Sequence, residues 1–331
     1  EIDAALHPEI HLVSSAAPDW DRALATVRRA WPDKTGPWRF EVTGEPGTIP
    51  ARYYNPPETV GRDFAPMMVW LSPDGGTVLR RDFWGDYAMT WIYDLHYRLL
   101  LDEAGGTVLG YAGLALLALL LSGLWAWWPR GSWRKALRYK PRAAPSRRLR
   151  DLHKLTGLWG GLLLTILTAT GVMLELPEES DAALGAVFGQ ADALSKPRSD
   201  ARGGATHVSV AAALRAARTA LPRARIAWIE VPGKGDGAFR IRMQQPGDPS
   251  RRFPHSFVWI DQYSGQVLAV ADTAKSGATS AINNWLHPLH DGSAGGLATR
   301  ILTALAGLLP LLLFATGWLR WRLRRRRAPK G

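Results

Sequence analysis

Three long apolar stretches, residues 107–128, 155–174 and 301–319, dominate the hydropathy pattern of the chain. They are 22, 20 and 19 residues long and carry no charged side chain. At about 1.5 Å rise per residue, about 20 residues cross a hydrocarbon core of roughly 30 Å, so each stretch predicts a transmembrane helix. A buried helix of a soluble core is the alternative for any one of them, and three of this length argue against it. Pro310 predicts a kink in the third.

Between the apolar stretches the period changes. Residues 19–31 place Leu24, Val27 and Trp31 three and four apart, the spacing of an amphipathic helix. Short strands are predicted at 38–42, 51–54, 67–71 and 77–81, separated by turns such as Pro73-Asp74-Gly75-Gly76. The same order recurs downstream. An Ala-rich helix at 209–221 has Ser209 as its N-cap, and strands follow at 226–231, 238–243, 256–260 and 266–270, with a Gly-rich turn at 232–237. Each set predicts a small α+β domain. The polar, Gly-rich stretch 194–206 predicts a mobile loop.

Compared with itself, the chain reads as two copies of one unit. Glu1-Ile2-Asp3-Ala4-Ala5-Leu6 echoes Glu179-Ser180-Asp181-Ala182-Ala183-Leu184, and Val69-Trp70-Leu71 echoes Val258-Trp259-Ile260. Trp91-Ile92-Tyr93-Asp94-Leu95-His96 echoes Trp285-Leu286-His287-Pro288-Leu289-His290, and Ser122-Gly123-Leu124-Trp125 echoes Thr316-Gly317-Trp318. The interval from histidine to glycine, His96 to Gly123 and His290 to Gly317, is 27 residues in both copies. Only the second copy has an outgoing span, so the repeat predicts a fourth span upstream of Glu1 carrying its own counterpart of His153; cleavage of a signal peptide is the rival explanation.

The net charge of +12 is unevenly placed. Residues 129–150 carry nine Lys/Arg and 320–331 carry seven, with no acid in either; without those sixteen the remainder of the chain is at −4. Both basic segments flank spans, which predicts that they are cytoplasmic. Nucleic-acid binding, the other use of basic runs, is not expected from segments beside a membrane. Trp125, Trp127, Trp128, Trp133, Trp318 and Trp321 mark inner boundaries, and Trp91 and Trp285 outer ones. The boundaries that follow are an external domain at 1–90, an outer-rim helix and span at 91–128, and a basic cytoplasmic loop at 129–150. A span at 151–176, a second external domain at 177–284, an outer-rim helix and span at 285–321, and a basic tail at 322–331 complete the chain.

The chain has no cysteine, so metal ligation falls to His, Asp, Glu, Met or Tyr. His96 and His290 each stand eleven residues before a span, and His153 two before another. Polar side chains at a membrane rim are costly and call for a reason. A haem needs axial imidazoles on different helices at one depth, which His96 and His290 satisfy on the outer side. His153 lies at the inner rim, where a second haem would need the upstream helix. Contact with lipid headgroups is the alternative reading for each. His287, three residues before His290, is a lesser candidate for the same haem and could instead contact a propionate or substrate; with Pro288 after it, it is expected at a helix cap, because proline suits only the first helical turn. Arg98 and Arg300 near the outer rim could pair with haem propionates, or snorkel. No dinucleotide fingerprint, phosphate loop, zinc-protease motif or covalent haem-attachment motif occurs, so any haem is held non-covalently.

These motifs resemble the PepSY-associated transmembrane helix family, which includes iron-regulated inner-membrane proteins and ferric-siderophore reductases. The matching pieces are Leu152-His153-Lys154-Leu155-Thr156-Gly157-Leu158, Thr170-Gly171 before an acidic stretch, Trp259-Ile260-Asp261 and Pro288-Leu289-His290-Asp291-Gly292, with Leu95-His96 and Ser122-Gly123. The resemblance implies an α-helical transmembrane bundle with two small PepSY-like periplasmic α+β domains in a bacterial inner membrane. It implies one or two b-type haems ligated by His96, His290 and His153. It also implies electron transfer from a cytoplasmic or quinone donor to a ferric siderophore or other ferric chelate, with no catalytic residue apart from the haem. The alternative in the same family is a haem-free binding or regulatory protein with a peptide or protease partner.

Overall fold

The computed structural model describes residues 5–14, 17–129, 131–200 and 206–325. The expected loop at 194–206 and the basic tail fall partly outside these. In chain order the first elements are α1 (Trp20–Ala30), β1 (Trp38–Glu41), β2 (Ile49–Tyr53), β3 (Met67–Leu71), β4 (Val78–Phe83) and α2 (Ala88–Arg98). Then come α3 (Asp102–Trp127), α4 (Pro145–Glu175), α5 (Pro177–Phe188), α6 (Val210–Ala220) and strands β5 (Arg225–Val231), β6 (Ala238–Gln244), β7 (Ser256–Asp261) and β8 (Val267–Ala271). Helices α7 (Ala278–His290), α8 (Gly296–Ala306) and α9 (Leu309–Arg325) close the chain. The chain divides into two compact units, Glu1–Gly106 with Asp181–Asn284, and Thr107–Ser180 with Trp285–Gly331.

The first unit is built on one antiparallel sheet of eight strands in the order β4-β3-β2-β1-β5-β6-β7-β8. Where the sequence predicts two separate external domains, at 1–90 and 177–284, β1 and β5 pair edge to edge, Trp38 opposite Val231 and Phe40 opposite Ile229. The reason is physical. As ends of two four-stranded sheets, β1 and β5 would each expose a row of unpaired backbone donors and acceptors. Pairing removes both edges and merges two apolar faces. Arg39 is ion-paired with Glu230 across the joint, and Arg28 Nη2 donates to the Pro232 carbonyl at 3.2 Å.

Helices α1 and α6 cover one face of this sheet. Ala23, Leu24 and Val27 of α1, and Val210, Ala213, Leu214 and Ala217 of α6, share one core with Trp38, Phe40, Met67 and Ile229. Each large apolar side chain so buried contributes roughly 1.5–3 kcal/mol. Both N-termini are capped, that of α6 at Ser209 as the sequence predicts and that of α1 at Asp19. Asp19 accepts from Arg22 N at 2.9 Å, and Ser209 from Ala212 N at 3.1 Å. Asp21 of α1 also accepts from Val210 N and Ala211 N, so one helix caps the other. The echoed segments on β3 and β7 share an irregularity, a register shift at Trp70/Leu71 and at Trp259/Ile260.

The second unit carries three helical segments long and apolar enough to cross a membrane, Asp102–Trp127, Pro145–Glu175 and Ser293–Arg325. The second begins at Pro145, ten residues before the apolar stretch, since proline is well suited to a first turn. The third is broken at Gly307 and Leu308, which puts Pro310 in the first turn of α9, where its missing N–H costs nothing. Glycines set the helix contacts. A Cβ at Gly110 or Gly113 of α3 would stand 2.7 Å from Leu176 and 2.6 Å from Val172, and Gly160 of α4 lies against Leu309 of α9. This is the small-residue packing of membrane helices.

Candidate functional site

Two threonine–glycine steps in the helical unit each receive a histidine from the facing helix. His153 lies two turns into α4. Its Nδ1 stands 3.1 Å from the Leu313 carbonyl and 3.0 Å from Thr316 Oγ1 of α9. His290, at the end of α7, has its Nδ1 3.0 Å from the Leu167 carbonyl and 3.2 Å from Thr170 Oγ1 of α4. In both cases the threonine hydroxyl itself donates to the carbonyl four residues back, Thr316 to Leu312 at 2.7 Å and Thr170 to Ile166 at 2.8 Å. The glycine that follows leaves room for the ring. A Cβ at Gly317 would lie 3.5 Å from His153 Cε1, and one at Gly171 would lie 2.9 Å from His290 Cε1.

This geometry selects a tautomer. A carbonyl oxygen only accepts, and the threonine proton is already engaged, so Nδ1 of each imidazole must donate. In the neutral ring the lone pair is then on Nε2, the state in which histidine serves as a metal ligand. The two steps are Leu167-Thr168-Ala169-Thr170-Gly171 and Leu313-Phe314-Ala315-Thr316-Gly317. A related segment on α3, Leu119-Leu120-Leu121-Ser122-Gly123, has an internal bond one residue shorter, Ser122 Oγ donating to the Leu119 carbonyl three residues back at 3.1 Å. Among the described residues, nothing beyond its own chain neighbours and the local backbone of α3 lies within 4 Å of where a Cβ of Gly123 would be.

A cavity of about 460 Å³ opens beside His153. That volume falls within the range of small-molecule and cofactor sites. Leu124, Trp127 and Leu158 give it apolar walls, and Gly123 and Gly157 let the backbone approach. Arg150, Lys154 and Arg320 bring three cations to the same cavity. Lys154 also lies over the Trp127 ring at 5.4 Å and donates to the Ala136 carbonyl. Among the described residues, no group of three or more His, Asp or Glu side chains is placed to hold a bare metal ion. One imidazole in a roomy, cation-lined cavity instead suits a planar anionic cofactor that brings its own equatorial donors.

The other residues singled out from the sequence are distributed as follows. His96 is exposed on α2, in the sheet-bearing unit, while His290 belongs to the helical unit. Arg98 is ion-paired with Asp63, and its Nη2 donates to Tyr97 Oη at 2.8 Å. Arg300 is exposed on α8. The expectation for His287 needs correction. Pro288 lies inside α7, so His287 is within the helix rather than at its cap. Proline there lacks the N–H of one backbone bond, a cost carried in the last turn of α7. The sequence does not predict the threonine–glycine seats or the gathering of three cations at the cavity. Arg150 had a readable signal, three residues before His153 and so on the same helix face.

The chain matches the family described as PepSY-associated TM region over residues 1–324. It therefore belongs to that family and is a membrane protein. No curated protein sequence matches it.

Proposed function

We propose that this protein is a bacterial inner-membrane b-type haem protein that passes electrons across the membrane to reduce a ferric chelate, such as a ferric siderophore, on the periplasmic side. The cavity beside His153 is the observation that carries the reading. His153 would hold the iron through Nε2, Arg150, Lys154 and Arg320 would neutralise the propionates, and Leu124, Trp127 and Leu158 would exclude water. Haem supplies a one-electron Fe(III)/Fe(II) couple when bound. The second seat, at His290, supports a path to the opposite face. Gly171 is 18 residues from His153 along α4, about 27 Å at helical rise and close to the thickness of a hydrocarbon core.

The sheet-bearing unit would be periplasmic, because the Lys/Arg-rich segments flank the other ends of the spans. The donor is a cytoplasmic or quinone reductant, and each electron converts one Fe(III) to Fe(II). Siderophore oxygen donors hold the ferrous ion less well, so reduction releases it.

The test is visible absorption and a pyridine haemochrome assay on the purified protein. A Soret band with split α/β bands on dithionite reduction is expected. His153→Ala should lower the haem content, and His96→Ala tests the sequence-based role of that residue. A colourless protein after expression with added haem would overturn the reading and favour the haem-free binding alternative.

A further inference from the structure

The face of the sheet opposite α1 and α6 has a composition of its own. Cross-strand register sets Arg52 opposite Arg39, Arg39 opposite Glu230, and Glu230 opposite Arg240. The neighbouring row sets Glu41 opposite Trp228, Trp228 opposite Arg242, and Arg242 opposite Phe257. Side chains of four arginines and one glutamate thus meet in one cleft. Its volume is about 40 Å³, room for a small polar group and not for a whole ligand.

The carboxylates are already engaged. Glu230 pairs with Arg39 and, at 2.8 Å, with Arg240. Glu41 is held by Arg252 through bonds of 2.7 and 3.0 Å. Arg52 is 7% exposed, its Nε has no hydrogen-bond partner, and its nearest ion-pair contact, to Glu41, is 3.7 Å. Arg242 makes no ion pair among the described residues, and its guanidinium lies over Phe257 at 4.9 Å. Burial, then the neighbouring charges of Arg240 and Arg39, push Arg242 down to about 10. Arg52 is likewise held below its usual range by burial. Arginines in this state are costly to the fold and call for a compensating negative charge.

We propose that this cleft binds the oxyanion group of a ligand, a carboxylate or phosphate, between Arg52 and Arg242. The planar forks of the two guanidiniums suit two-pronged recognition of such a group. Aromatic rings set beside them, Trp228 under Arg52 at 4.8 Å and Phe257 under Arg242, hold the forks in place. The cleft lies wholly in the sheet-bearing unit and does not depend on haem. Its natural source of oxyanion is either a small polycarboxylate or phosphate in solution, or an anionic lipid headgroup.

The experiment uses the full chain in neutral detergent, with citrate and inorganic phosphate as probes in calorimetric titrations and thermal melts. Citrate is expected to bind, to raise Tm, and to bind more weakly as salt is added. Arg242→Gln and Arg52→Gln should each weaken binding at least tenfold. Arg242→Gln should melt no lower than the parent without anion, which separates loss of binding from loss of fold. Arg81→Gln, at the exposed position of β4, should bind as the parent does. The two sources are separated in nanodiscs. Citrate that binds in phosphatidylcholine discs but not in phosphatidylglycerol discs would identify a lipid headgroup in the same cleft, and equal binding in both would identify a soluble anion. No binding of either anion at low salt, or binding unaltered in both arginine variants, would overturn the proposal.

Discussion

Replacing Gly171 and Gly317 separately by alanine tests the histidine seats with one chemical change in two equivalent places. At Gly171 the new methyl would stand 2.9 Å from His290 Cε1, where carbon atoms prefer about 3.5–4.0 Å, so the ring must move by roughly 0.6 Å or more. A shift of that size stretches the 3.0 Å bond from His290 Nδ1 to the Leu167 carbonyl past the hydrogen-bond range. Overpacking costs about 1–3 kcal/mol and the lost bond about 1 kcal/mol more. At Gly317 the methyl would lie 3.5 Å from His153 Cε1, an ordinary contact, and the seat should survive. Both variants share the helix-propensity gain of alanine over glycine, about 1 kcal/mol, so it cancels in the comparison. Gly171→Ala should therefore be less stable than Gly317→Ala by about 2–4 kcal/mol. The assay is reversible unfolding in mixed micelles, with the imidazole tautomer read by nitrogen NMR. Only Gly171→Ala should lose the Nδ1–H signature, at His290. Equal stability of the two variants, with both tautomers intact, would refute the seating argument.

Two further predictions concern the sheet-bearing unit. Phe40 is fully buried on β1 at the joint, so Phe40→Ala should cost about 3–5 kcal/mol and lower one cooperative transition; two separate transitions would contradict the continuous sheet. Glu58 lies 2.7 Å from the buried Lys34 amine, and that hydrogen bond lowers its pKa. Stability from a carboxylate of this kind is present above its unfolded value and lost as pH falls through the folded one. Glu58→Gln should therefore lower Tm at pH 7 by the equivalent of at most ~1 kcal/mol, Glu58 being half exposed, and the gap should close in acid; a gap that persists would refute the pairing.

Much of the architecture was legible because it depends on local pattern. The spans follow from length and apolarity alone, helix α1 from its apolar spacing and α6 from its composition and its Ser209 cap. Strand positions were readable as short runs bounded by Pro/Gly/Asp turns, but the β1–β5 pairing was not. Alternation places a strand at a half-buried surface without naming the edge it meets. The histidines were readable as unusual at a membrane rim. Their seats were not, because Thr170-Gly171 and Thr316-Gly317 resemble any small-residue helix contact until the facing helix is known. Arg150 and Arg320 read as topogenic charge and Lys154 as part of the His153 motif; the spacing of Arg150 to His153 was readable, but nothing in one dimension turns Arg320 toward His153. The cleft around Arg52 and Arg242 needed the register of five strands.

The seats are also reciprocal. α4 carries a histidine at one end and a notch at the other, and the third span with its approach helix does the same in reverse. Sliding either by a single residue, about 1.5 Å, would lift both imidazoles out together. The pair works as a bolt secured at both ends, and axial slippage, an inexpensive adjustment for antiparallel helices in lipid, is closed to it. A bilayer thicker or thinner than this pair must deform around it, by tilt or local change of thickness, because the spacing of the two imidazoles is counted in residues and not set by the lipid.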